Sequence, residues 1–237
     1  LLLKRKRFQD MRWEELWDAA LRIRNFFVTT PLPSGILDAL TAGLGCGFAA
    51  QPVVVRSSGT AEDTAEASFA GLHDSYVNIT GTQAILEHVR LVWASLWSDR
   101  ALLYRQELDL SIKGSSMAVI VQEFISGDRS GIVFTRAPDG TDAMAVEAVH
   151  GLNQGLVDGS IEPDHWRLSQ LTGRVLSHMP ASRRSEVMAP LEQGVGLAAA
   201  TQKQAGQPPL SRAQLKMLHQ TSQEVAQLFG QPQDIEW

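Results

Sequence analysis

The chain has 237 residues, room for one large domain or two smaller lobes with a real core. Its hydrophobic content of 44% and charged content of 20% are ordinary for a globular protein, and a formal net charge of −5 gives a nucleic-acid role no global electrostatic support. The single cysteine, Cys46, excludes a disulfide framework and a cysteine metal site and fits a reducing cytoplasm, while no apolar run approaches the ~18 residues of a membrane span.

The basic run Lys4–Arg7 reads as a solvated flank. Residues 13–28 place Trp13, Leu16, Trp17, Ala20, Leu21, Ile23 and Phe27 at helical spacing, which predicts a helix with those residues as its core face. Pro31-Leu32-Pro33 ends it, and Ser34 caps a second helix to about Leu44. Val53–Val55 is a buried strand and Asp74–Ile79 a half-exposed one. Thr82–Glu107 reads as one long amphipathic helix, with Gly114 breaking the chain after it. Met117–Ile125 and Ser130–Thr135 are predicted to pair as a hairpin across Ser126–Arg129, followed by a strand over Ala143–Val149. Gly151–Gly159 is a glycine-bounded loop with a short helical turn, and a second hairpin turns at Gly173. Residues 178–210 are weakly patterned, and Ser211 caps a last helix that Gly230 closes and Pro232 prevents from continuing.

This mixture predicts an α+β fold of two lobes, 1–114 and 115–237, each with antiparallel sheet and flanking helices and with a cleft between them. The opening Leu1-Leu2-Leu3 and the strand-like ending Gln233–Trp237 lead us to expect a fragment of a larger protein.

The chemistry concentrates in Val53–Gly71, where a β-branched run delivers Arg56 into Ser57, Ser58, Gly59, Thr60, Ser68 and Gly71. Small and hydroxylated residues let a backbone approach an anion and line it with donors, and a guanidinium adds a fixed fork of positive charge. No Walker A motif occurs. Composition alone allows an ordinary strand and a solvated loop, and an arginine at a strand end is often a structural ion pair. Asp234 and Glu236 form a second constellation: residues two apart on a strand face one side, and two carboxylates there suit a hard cation such as Mg²⁺.

The segment Val-Val-Val-Arg-Ser-Ser-Gly-Thr-Ala-Glu-Asp-Thr-Ala-Glu-Ala-Ser-Phe-Ala-Gly resembles the signature of the ATP-binding domain of the phosphoenolpyruvate synthase (pyruvate, water dikinase) and pyruvate phosphate dikinase family, which rifampicin phosphotransferases share in related form. Gly59 stands where alanine is usual. The resemblance extends in order through Val119–Phe124, the loop from Glu147 to Asp164, and Gln233–Trp237. It implies an ATP-grasp-like fold with ATP and Mg²⁺ as cofactors. Arg56 becomes the triphosphate ligand and catalytic cation. Ser57, Thr60, Gly71 and Ser75 are implied as nucleotide contacts, with Ser75 replacing the usual threonine. Gln122 matches a nucleotide position beside the adenine hinge, and Glu123 is implied near the ribose. Glu236 is implied as a metal and nucleotide ligand, with Asp234 beside it. Two departures occur in the loop: Asn153 replaces glycine and Gln154 replaces glutamate, which removes a negative charge near the phosphates.

What the family implies for the parent protein is a cytoplasmic phosphotransferase in which ATP phosphorylates a histidine on a separate domain, for transfer to pyruvate on another. The six histidines here lack the Gly-Gly-x-x-x-His context of that domain; His88 and His219 read as structural, and His73 and His150 lie beside candidate loops. The family's glycine-lysine segment and its Leu-Gln-x-Arg-Pro segment fall outside this sequence, so the chain alone is expected to be inactive. The alternatives are the nucleotide domain of a rifampicin-type phosphotransferase and a non-catalytic nucleotide sensor.

Overall fold

The computed structural model describes residues 6–45, 47–48, 50–59, 71–112 and 115–237. They fall into two compact units, Leu1–Phe124 with Glu192–Gly194, and Ile125–Leu191 with Val195–Trp237. In both, antiparallel sheet is flanked by helices, the α+β class expected from the sequence.

The first unit contains helices α1 (Trp13–Thr29), α2 (Ser34–Gly45), α3 (Thr82–Ser95) and α4 (Asp99–Glu107). Its strands β1 (Val53–Gly59), β2 (Ser75–Ile79) and β3 (Met117–Glu123) form a three-stranded sheet in the order β2-β1-β3. Val53, Val55 and Ile79 bury one face of that sheet against Ile85, Leu86, Val89 and Val92 of α3. The alternation of β1 and the helical period of α3 meet there, and among the described residues no helix covers the opposite sheet face.

Three sequence expectations change here. The predicted long helix is two, because Ser98 is extended and its hydroxyl accepts from Ala101 N at 3.2 Å, starting α4 as a new helix. β1 runs on through Arg56 to Gly59, since β3 pairs with it from Val53↔Glu123 to Gly59↔Met117. α1 packs through Leu16, Ala19 and Ala20, while Trp13, Trp17 and Leu21 are more than half exposed. Small alanines permit close approach to α3 and α4, so the larger side chains turn outward.

The second unit has a five-stranded sheet of order β10-β4-β5-β6-β7, built from β4 (Arg129–Phe134), β5 (Ala143–His150), β6 (Asp164–Ser169), β7 (Val175–Met179) and β10 (Asp234–Glu236). Helix α7 (Arg212–Phe229) covers one face: Leu215, with Leu210 just before it, packs on Val133, Met144, Val146, Trp166 and Leu168. The sequence signals for α7 act as expected, with Ser211 and Gln214 forming a capping box and Gly230 left-handed at φ +67°. The expected β3–β4 hairpin does not form; β3 pairs with β1, and β4 with β5 and β10. The weakly patterned stretch holds a hairpin of β8 (Glu186–Pro190) and β9 (Val195–Ala199) and the short helix α6 (Gln202–Gly206). The remaining short helix, α5 (Gln154–Val157), follows β5.

Candidate functional site

Cross-strand partners in an antiparallel sheet project to the same side. In the first unit Arg56 lies between Ser75 on β2 and Ile120 on β3, and Val54 lies opposite Gln122. Arg56, Ser58, Ser75, Ile120 and Gln122 therefore share the face that α3 does not cover. Arg56, Ser75, Ile120 and Gln122 are exposed, and Ile120 at 43% is an unusual apolar residue for an open sheet face. A cation, hydroxyls, an amide and an apolar side chain thus sit together around Arg56. Ser57 and Glu123 alternate to the side of Val53 and Val55. Thr60 lies outside the described residues.

Local structure fixes this face. Gly71 opens the turn into β2 at φ +72°, a backbone conformation that favours glycine. The Asp74 backbone N–H donates to Ser95 Oγ on α3 at 3.1 Å. Tyr76 packs into the core, meets the His88 ring edge-on with centroids 4.8 Å apart, and donates from its hydroxyl to Asp74 Oδ2 at 3.1 Å. Burial, and then the Asp74 carboxylate, push the Tyr76 phenol up to about 12. Between these anchors Ser75 can point only away from α3.

In the second unit Asp234 and Glu236 lie on one side of β10, opposite Phe134 and Ile132. Their rows continue across the sheet, Glu236–Ile132–Glu147–His165 and Asp234–Phe134–Ala145–Arg167. This is the face turned away from α7. His165 Nδ1 and Glu147 Oε1 are 3.3 Å apart, and Arg167 forms a two-pronged pair with Asp139 at 2.6 and 2.9 Å. That pair, with Thr141, holds the Asp139 carboxyl well below the usual carboxylate range. Asp234 and Glu236 form no ion pair among the described residues. β10 is held to β4 by Gly131: Trp237 and Gly131 exchange two backbone hydrogen bonds of 3.1 Å, and a Cβ on Gly131 would overlap the Glu147 carbonyl and the Trp237 ring.

Gln154 is exposed at the start of α5, off the sheet, and follows Asn153, whose Oδ1 is buried with no hydrogen-bond partner among the described residues. The loop before it is anchored: Gly151 takes φ +82°, its N–H donates to the Asp128 carbonyl, and its own carbonyl accepts from Ser130 Oγ at 2.8 Å. His88 and His219 are tied to the carbonyls of Ala84 and Gln170.

Sequence reading missed Asp164 as an organiser. It is 1% exposed and accepts from Arg184 Nε and Nη2 at 2.8 and 2.7 Å, from the Ala181 N–H, and pairs with His178 Nε2 at 2.7 Å. Burial acts to raise its pKa, but the hydrogen bonds from Arg184, His178 and Ala181 outweigh it and hold the carboxyl below its ordinary value. His178 also stacks flat on Trp166 at 4.5 Å. The only sequence signal was an aspartate beginning an otherwise alternating strand.

The chain matches the family described as pyruvate phosphate dikinase, AMP/ATP-binding domain, over residues 3–237. It is 35% identical to a rifampicin phosphotransferase of Streptomyces sviceus over 94% of its length and 26% of that relative. It is 34% identical to a phosphoenolpyruvate synthase of Aeropyrum pernix, covering 95% of this chain and 31% of that protein. A probable phosphoenolpyruvate synthase of Methanothermobacter thermautotrophicus is 31% identical, with 94% and 34% covered. The chain thus spans about a quarter to a third of the length of these relatives.

Proposed function

The chain belongs to the pyruvate phosphate dikinase AMP/ATP-binding domain family, and we propose that its nucleotide contacts are made by the open face around Arg56. The observation that carries this is the register that sets Arg56 beside Ser75 and puts Gln122 on the same sheet face, opposite Val54. Arg56 pairs with the phosphate chain, Ser75 donates to it, and Gln122 with the Glu123 main chain meets the base and ribose. Gly71, Ser57 and Thr60 contribute backbone donors.

Asp234 and Glu236 fit Mg²⁺: both are exposed on one side of a strand, and neither is consumed by an ion pair among the described residues. Described residues contain no group of three or more acidic, histidine or cysteine side chains able to hold a metal alone. That suits a cation that keeps most of its ligands from phosphate and water. Bound there, Mg²⁺ would offset the phosphate charge. The protein's own contribution is positioning and electrostatic stabilisation by a fixed guanidinium. Gln154, an amide where the family pattern has a carboxylate, is a hydrogen-bonding contact to the phosphates.

In the parent protein, this domain would drive phosphorylation of a histidine on a separate domain, for transfer to pyruvate on another, in the cytoplasm. The 35% identity to a rifampicin phosphotransferase supports a second reading of the acceptor. The chain alone is proposed to bind nucleotide and transfer nothing. Calorimetric titration of ATP tests the assignment: Arg56→Ala should weaken binding by about tenfold or more, the worth of a charged hydrogen bond. Unchanged affinity would refute it. For the parent protein, ATP-dependent histidine labelling consumed by pyruvate supports the synthase reading; consumption by rifampicin supports the second, and binding without labelling supports a nucleotide sensor.

A further inference from the structure

The α7 side of the second unit carries a cavity of about 540 Å³ whose lining includes Asp128, Arg129, His150, Thr201, Lys203 and Gln207. We propose that it binds a small phosphate-bearing molecule, at a site separate from the nucleotide face. Arg129 and His150 are cross-strand partners at the ends of β4 and β5. Their alternation places them with Val133, Val146 and Ala148 under α7, on the opposite side of the sheet from Ile132, Glu147 and Glu236.

Arg129 is held in place: Nη1 donates to the Pro209 carbonyl and to Gln214 Oε1, each at 3.0 Å, and Gln214 is itself fixed by Ser211. Its Nη2 and Nε have no partner among the described residues. A guanidinium immobilised on one edge with the other edge open is preorganised for an oxyanion. Lys203 stands in the same lining with no carboxylate at ion-pair distance among the described residues. Two cations around one concavity match the charge of a phosphate monoester better than that of a carboxylate. His150 Nε2 is taken up by the Gln207 carbonyl at 3.0 Å, which fixes the ring in the lining. Thr201 and Gln207 supply polar wall around a volume several times that of phosphate itself. Asp128 is the opposing carboxylate, and it should weaken the site.

Amide and side-chain resonances of the full chain, titrated with inorganic phosphate against chloride at constant ionic strength, test this. Saturable shifts are expected at Arg129, His150 and Lys203. Lys203→Ala should weaken phosphate by about threefold and Asp128→Asn should tighten it by about twofold, as expected of exposed charges. Both side chains are exposed, so native spectra will confirm intact folds. Acetate should bind more weakly than phosphate. Shifts scattered over the surface, one dissociation constant shared by all three proteins, or acetate equal to phosphate would overturn the proposal.

Discussion

The two sheets are built alike and charged oppositely. Each buries one face under a helix, α3 in the first unit and α7 in the second, and leaves the other open. The open face of the first offers Arg56 among Ser58, Ser75 and Gln122. That of the second offers Asp234, Glu236 and Glu147, with Arg167 already engaged by Asp139. By charge, the first is suited to anionic oxygen and the second to a cation.

The largest effect should come from breaking the frame of the acidic sheet. Asp164→Ala leaves Arg184 and His178 without their shared carboxylate, and loss of one partner of a buried pair costs about 3–5 kcal/mol. Chemical denaturation should show it, with the first unit's near-ultraviolet signals retained. The pH dependence has a fixed sign. The Asp164 carboxyl is held below its unfolded value, so its contribution is complete above about pH 4 and is lost as the pH falls through the lower folded value. Asp164→Asn should flatten the acid limb of the stability curve.

Next comes Glu236→Gln, which should lower the Mg²⁺-stimulated part of ATP affinity by about tenfold while leaving metal-free binding nearly unchanged. An equal loss with and without Mg²⁺ would remove the contrast between the two faces. Smaller still is Tyr76→Phe, which loses the bond to Asp74 at a cost of about 1 kcal/mol. Wild-type absorbance should show a phenol ionising at about 12 that this variant lacks. Because the unfolded phenol ionises near 10, Tyr76 makes stability fall as pH rises from about 10 to about 12.

What the sequence disclosed depended on how local each signal was. Helix α7 was legible because Ser211, Gln214, Gly230 and Pro232 act within a turn of its ends. The break at Ser98 escaped notice because the apolar period continues across it. The β3–β4 hairpin was misread for a related reason: Ser126–Arg129 looks like a turn, but β1 offers β3 seven paired residues. Arg56, Ser75, Gln122 and Glu236 stood out through motifs. That Ser57 faces away from Arg56 follows only once β1 is known to run on to Gly59 through its pairing with β3, whereas Glu123 turns away from Gln122 by the two-residue period of the predicted strand itself. Asp164 stood out only as an aspartate beginning an alternating strand; its role stayed hidden because its partners Arg184 and His178 come from a weakly patterned segment.

The most direct measurement follows the Arg56 Nε–H and Gln122 side-chain amide resonances during titration with ATP and Mg²⁺. Both should move together with one saturation constant, and Arg56→Ala should shift the Gln122 response to about tenfold higher ATP or more while the rest of the spectrum stays native. Resonances that do not move, or a Gln122 response indifferent to Arg56→Ala, would contradict a nucleotide site on this face.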